Sequence, residues 1–135
     1  MADQGLIKET AVAVVGKLRS GEVSPLDLLD VLEKRISEVD GKVNALPILC
    51  FDRARKNAKA LMQKPVGERG PLAGLPIPIK DLFNVEGVLN TQGSPIFKHT
   101  VATRSDVVVT HLEANGGVVY AKSNTPEFGD RKSVV

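Results

Sequence analysis

The sequence predicts an α/β chain, with helices in the first third and a strand, a crossing helix and a second strand in the remainder. Three observations carry this. Apolar residues recur at helical spacing up to about residue 63, and a strand-like run, LPIPIKDLF, spans residues 75–83. The β-branched run Val118 to Ala121 then follows a helix stop at Asn115-Gly116-Gly117. At 135 residues the chain matches one ordinary domain. Its 42% hydrophobic and 25% charged residues exclude wholesale disorder.

Ile7, Ala11, Val14, Val15 and Leu18 share one face of a first helix, which Gly21 breaks. Ser24, Pro25 and Asp27 supply an N-cap, a first-turn proline and a capping-box acid for a second helix. Leu28, Leu32, Ile36 and Val39 make its apolar stripe, and Gly41 is expected to close it. Residues 45–51 form a short apolar run that suits either a strand or the approach to a third helix. That helix is expected from an Asp52 cap to about Gln63, with Ala54, Ala58, Leu61 and Met62 buried. The small side chains at 54 and 58 suggest close approach to another backbone.

Pro65, Gly67, Gly70, Pro71 and Gly74 mark a loop before the strand-like run. Pro76 and Pro78 fall on one side of that ladder, as an edge strand tolerates. Ser105 is expected to cap the crossing helix that ends near Glu113. A strand, a helix and a further strand make one βαβ unit. Two strands alone cannot cover both faces and both edges of a parallel sheet, so the architecture reads as incomplete.

Composition narrows the function. With 18 basic and 16 acidic residues, the net charge of +2 gives no footprint for nucleic acid or for an anionic membrane. The single cysteine, Cys50, excludes an intrachain disulfide and a four-cysteine zinc site. Cys50 reads as a small core hydrophobe, and His99 and His111 have no ligand at metal spacing. The first ten residues lack a signal peptide's basic and apolar stretches, so a reducing cytoplasmic setting is expected.

One residue stands out for chemistry. Lys80 lies between Ile77-Pro78-Ile79 and Leu82-Phe83. Its ordinary role would be to end a strand in water, pairing loosely with Asp81. Its functional role would need partial desolvation, which lowers a lysine's proton affinity and makes it a usable general base. Adjacent strand residues face opposite ways, so Asp81 need not hold Lys80 charged.

The segment Gly70 to Phe83, GPLAGLPIPIKDLF, resembles the lysine-bearing strand of the amidase signature family. Thr91-Gln-Gly-Ser94, Ser105-Asp-Val-Val108 and the run GGVVYAKSNTPEFG over 116–129 agree with that family in order and spacing. The match runs from about Leu6 to Gly129. It implies helices packed on a mixed sheet, with residues 1–129 the N-terminal portion of a single amidase domain and 130–135 a divergent tail.

The resemblance further implies hydrolysis of an amide carbon–nitrogen bond by a Ser, cis-Ser and Lys triad. In that chemistry the lysine takes a proton through the bridging serine while the outer serine attacks the carbonyl. Lys80 matches the lysine by position. The family's serines and its oxyanion-holding glycines lie in a downstream segment that this sequence does not contain. Ser94, Ser123 and Ser133 do not match them.

No cofactor is implied, because triad chemistry needs none, and the implied substrate is a small-molecule amide. Asn124 and Thr125, just past a strand's C-terminal end, are expected to neighbour the substrate pocket. Thr125-Pro126 stands where glutaminase-type subunits of tRNA-dependent amidotransferases more often carry Met-Asp, which favours a general amidase over that alternative. An inactive remnant or interaction module is the third reading. The third is set apart by a structural consequence: with further sheet strands absent, bare strand edges and apolar faces at Val107, Val108, Leu112, Val118 and Val119 would leave the isolated chain marginally stable or self-associating.

Overall fold

The computed structural model describes residues 4–130, and its first helices follow the punctuation in the sequence. Helix α1 (Ala11–Ser20) begins where the Thr10 side chain accepts a hydrogen bond from the Ala13 N–H. It ends at Gly21, whose φ of 76° turns the chain left-handed. The Ser24 side chain accepts from the Asp27 N–H, and the Asp27 carboxylate accepts from the Ser24 N–H at 2.8 Å. This reciprocal cap opens helix α2 (Pro25–Val43).

Helix α2 continues two residues beyond Gly41, which the sequence marks as its end. A glycine near a helix end costs only about 1 kcal/mol. The real stop is Asn44 at φ 53°, with the Asp40 carboxylate accepting from the Ala45 and Leu46 N–H groups.

Three strands form one mixed sheet in the order β1-β3-β2. Strands β2 (Pro76–Lys80) and β3 (Val118–Ser123) pair in parallel. Helix α4 (Val107–Ala114) makes the crossing between them, as the βαβ pattern predicts. The third strand resolves the alternative left open at residues 45–51 in favour of a strand. Strand β1 (Ile48–Leu49) pairs antiparallel with the other side of β3 and makes β3 central. Among the described residues β2 is an edge, and the register shifts between Ile77 and Pro78, so the prolines break no ladder on a second side.

Helices α2 and α3 (Phe51–Met62) cover one face of the sheet through Leu29, Phe51, Ala54, Ala58, Val118, Tyr120 and Ala121. Ala54 and Ala58 are completely buried there, as their size suggests. Helix α4 and the loop after β2 cover the other face, where Ile79, Val85, Val88, Val109 and Val119 pack together. Val118 and Val119 are therefore satisfied within the chain, contrary to expectation. Val107 and Val108 remain exposed, at 72% and 44%.

The starts of β2 and β3 interlock through backbone. Leu72 N donates to the Asn115 carbonyl at 2.9 Å, and Gly74 N donates to the Gly116 carbonyl at 2.7 Å. Gly116, at φ 87°, lies so close to this loop that a Cβ would come within 2.0 Å of the Arg69 carbonyl oxygen. Only glycine fits such an approach.

Helix α4 begins one residue later than predicted, with Asp106 as N-cap. Asp106 spends its carboxylate on the Asn84 N–H at 2.8 Å, while the Ser105 hydroxyl accepts from the Glu86 N–H at 3.0 Å. Both residues tie the loop after β2 to the helix start. A bidentate pair between Arg53 and Glu113 joins α3 to α4 at 2.5 and 3.1 Å.

Candidate active site

Strand β2 places Lys80 at its C-terminal end, in register with Ser123 on β3. The side chain is exposed, and its ammonium has no hydrogen-bond or ion-pair partner among the described residues. The desolvation that a base role would need is therefore not supplied by the described residues, and Lys80 ends its strand in the open. Nor does Lys80 pair with Asp81, because Asp81 faces the opposite side of the sheet and is engaged there.

Asp81 is only 2% exposed and lies 2.8 Å from the Nζ of Lys122, which is completely buried. The Lys122 ammonium also donates to the Leu89 carbonyl at 3.2 Å. Thr91 contributes its N–H, 3.2 Å from the Asp81 carboxylate, and its hydroxyl as a second donor. The Asn90 side chain lies beside the pair, its oxygen accepting from the Lys122 ammonium at 3.3 Å and its amide donating to the Asn84 Oδ1 at 2.5 Å. The Asp81 N–H meanwhile extends the ladder to the Ser123 carbonyl at 3.0 Å.

Sequence reasoning missed this buried pair. A signal existed: Val118 to Ala121 lacks polar alternation, the pattern of a strand covered on both faces. A lysine that continues such a strand inherits the covering and needs a partner.

Two loops meet beyond the strand ends. The Ser94 hydroxyl donates to the Glu127 carboxylate at 2.7 Å, and Phe128 N donates to the Gln92 carbonyl at 2.8 Å. The rings of Phe97 and Phe128 pack edge to face at 6.0 Å. Ser94 is thus a buried connector between loops.

Asn124 ties the end of β3 to the end of α2, its amide donating to the Asn44 carbonyl at 2.9 Å. Its side-chain oxygen accepts from the Thr125 N–H at 2.9 Å. The Thr125 hydroxyl is buried and has no hydrogen-bond partner among the described residues, a condition that calls for an explanation in a native protein.

Cys50 is half-buried on the sheet, its Sγ 3.8 Å from the Val119 carbonyl. Burial pushes its thiol up from the ordinary range, which favours the unreactive protonated form. His99 and His111 are exposed. No cluster of three or more His, Cys, Asp or Glu side chains able to hold a metal occurs among the described residues. None of the described helices is long and apolar enough to cross a membrane. Ser133 and most of the expected tail, 131–135, lie outside the described residues.

Comparison with known proteins gives consistent results. Residues 27–132 match the family described as Amidase. The chain is 35% identical to an acylamidase of Rhodococcus erythropolis over 133 residues, covering 96% of this chain and 28% of that one. It is also 35% identical to a glutamyl-tRNA(Gln) amidotransferase subunit of Halorhodospira halophila over 122 residues, covering 90% of this chain and 25% of that one. Among solved structures, 6-aminohexanoate cyclic dimer hydrolase superposes with a TM-score of 0.79 at 30% identity, covering 91% of this chain and 25% of that chain. The chain spans about a quarter of the length of the relatives it matches.

Proposed function

The chain belongs to the amidase signature family, and from that premise we propose that it forms the lysine-bearing part of an amide hydrolase, with Lys80 as the general base. One observation carries the assignment. Lys80 stands at the C-terminal end of β2 with its side-chain nitrogen unpaired and facing outward, open to the serine-bearing remainder of the fold that would desolvate it, while the adjacent carboxylate is held on the other face. A base must reach the proton it abstracts without first being released from a neighbour.

In this reading Lys80 accepts a proton through a bridging serine, and a second serine attacks the amide carbonyl of a small-molecule substrate. The carbon–nitrogen bond breaks, the amine leaves with a proton, and water later releases the acyl group. Lys80 is the member of that triad that this sequence contains. Residues up to Gly129 then belong to a single amidase domain. Asn124 and Thr125 neighbour the substrate pocket, just past the C-terminal end of β3. The lone, half-buried Cys50 supports a cytoplasmic setting.

A second reading, a glutaminase-type member of a tRNA-dependent amidotransferase, rests on the 35% identity to the Halorhodospira halophila protein. Thr125-Pro126 favours the general amidase.

The test uses a protein that joins this chain to the serine-bearing remainder of the fold. Lys80→Ala should lower amide turnover by several orders of magnitude, as removal of one triad member does elsewhere. Turnover within tenfold of the parent would remove Lys80 from the mechanism. Comparing free glutamine with aryl and alkyl amides as substrates separates the two readings.

A further inference from the structure

The most heavily built polar site in the chain is the pair that the proposed chemistry does not use. Asp81 and Lys122 are 2% and 0% exposed, and they meet at 2.8 Å between β2, β3 and the loop carrying Leu89 to Thr91. Removing two charges from water is costly, and a hydrophobic pair of similar volume is often as stable or more so. Stability alone therefore gives a weak account of a buried pair at this position.

Its place in the strand gives a better one. Asp81 directly follows Lys80, and neighbouring residues on an extended strand point to opposite faces. Thr91 orients the Asp81 carboxylate through its N–H and its hydroxyl but brings no positive charge. Lys122 is the only cation in contact with Asp81 among the described residues. Without it, an ionised carboxylate would be left uncompensated in a covered site, one residue away from an unpaired ammonium. Turning Asp81 out toward Lys80 would relieve that cost.

We propose that Lys122 is a positioning residue for Lys80: by holding the Asp81 carboxylate on the loop-covered face, it keeps the Lys80 ammonium on the open face free of a carboxylate partner. The proposal rests on the reading of Lys80 as the base and adds the device that leaves that base unpaired. Lys122 touches no reacting atom and acts only through Asp81.

The test needs no turnover and uses the chain itself. Brief acetylation with acetic anhydride, read peptide by peptide by mass spectrometry, gives the labelling of Lys80 relative to the exposed Lys98. In Lys122→Met the ratio should fall about two- to fivefold, the effect of one solvent-accessible ion pair. Adding Asp81→Asn should restore it. An unchanged ratio in a Lys122→Met chain with a native circular dichroism spectrum overturns the proposal, as does failure of the double variant to restore it.

Where Lys122→Met does not fold, the unmodified chain carries the test by nuclear magnetic resonance. A hydrogen-bond coupling from the Lys122 ammonium nitrogen to the Asp81 carboxyl carbon is expected. Its absence, or a coupling from Lys80 to Asp81, overturns the proposal. Failure of the catalytic reading would appear separately, as amide turnover insensitive to Lys80→Ala with the labelling pattern intact.

Discussion

Gly93 lies against Thr125 so closely that a Cβ on the glycine would come within 2.6 Å of the Thr125 carbonyl oxygen. The contact joins the loop after β2 to the segment after β3, and Gly93 holds it at φ 67°, where other residues are strained. Gly93→Ala should destabilise the chain by about 1–3 kcal/mol, the range for a residue forced into sparsely populated backbone conformation. The accompanying sign is faster proteolysis near residues 92–97. A urea midpoint equal to that of the parent would show that the two loops separate freely.

The Asp81–Lys122 pair should be asymmetric in its response to mutation. Lys122→Met should destabilise the chain by up to about 3–5 kcal/mol, because Asp81 then either stays buried without a cation or gives up its buried site to reach Lys80. Replacing both, as Lys122→Met with Asp81→Leu, should recover much of that loss. Chemical denaturation of the four chains closes the cycle, and equal losses in the single and double variants would contradict it.

Acid should weaken the start of α2. The hydrogen bond from the Ser24 side chain, with that from the Ser24 backbone, holds the Asp27 carboxyl below its ordinary range. A group lowered in the folded state stabilises fully above its unfolded value, about 3.9, and loses that contribution as pH falls through the folded one. Amide exchange in the first turn of α2 should therefore quicken as pH drops below about 4, after correction for intrinsic rates. Asp27→Asn should flatten the dependence, and a parallel profile in that variant would remove the cap as its cause.

Purified chain should hydrolyse no amide at a measurable rate, since the role proposed for Lys80 also requires a positioned nucleophile and oxyanion donors, and Ser94 and Ser123 are engaged or placed elsewhere. Turnover that vanishes in Lys80→Ala would overturn this expectation.

Association is the outcome expected of the open side of β2. Among the described residues β2 has no strand on its second side, and Val107 and Val108 are 72% and 44% exposed. Light scattering should show oligomers growing with concentration, reduced in Val107→Lys/Val108→Glu. A monodisperse monomer at millimolar concentration would argue against it.

The features legible in the sequence are those written in local chemistry. Ser24, Pro25 and Asp27 announce a helix start because each satisfies or avoids an orphan donor within four residues. The prolines at 76 and 78 announce an edge, because proline cannot donate to a second ladder. Strand β1 is ambiguous in sequence because two residues are too few to carry a period, and only pairing with β3 makes them a strand. Lys122 escapes notice because burial of a charge depends on what covers it, here a loop more than thirty residues upstream. Lys80 is found through family likeness and strand position, while its open environment emerges only from the fold.

The interlock of residues 72–74 with 115–116 fixes the phase of β2 before the strand begins. Backbone atoms make it, so the phase survives changes of side chain along the strand but not changes of length. One residue inserted between Gly74 and Ile77 would exchange the two faces of everything that follows. Ile79 would then face outward and Lys80 would enter the apolar layer beneath α4, so this short connector should tolerate substitution far better than any insertion or deletion.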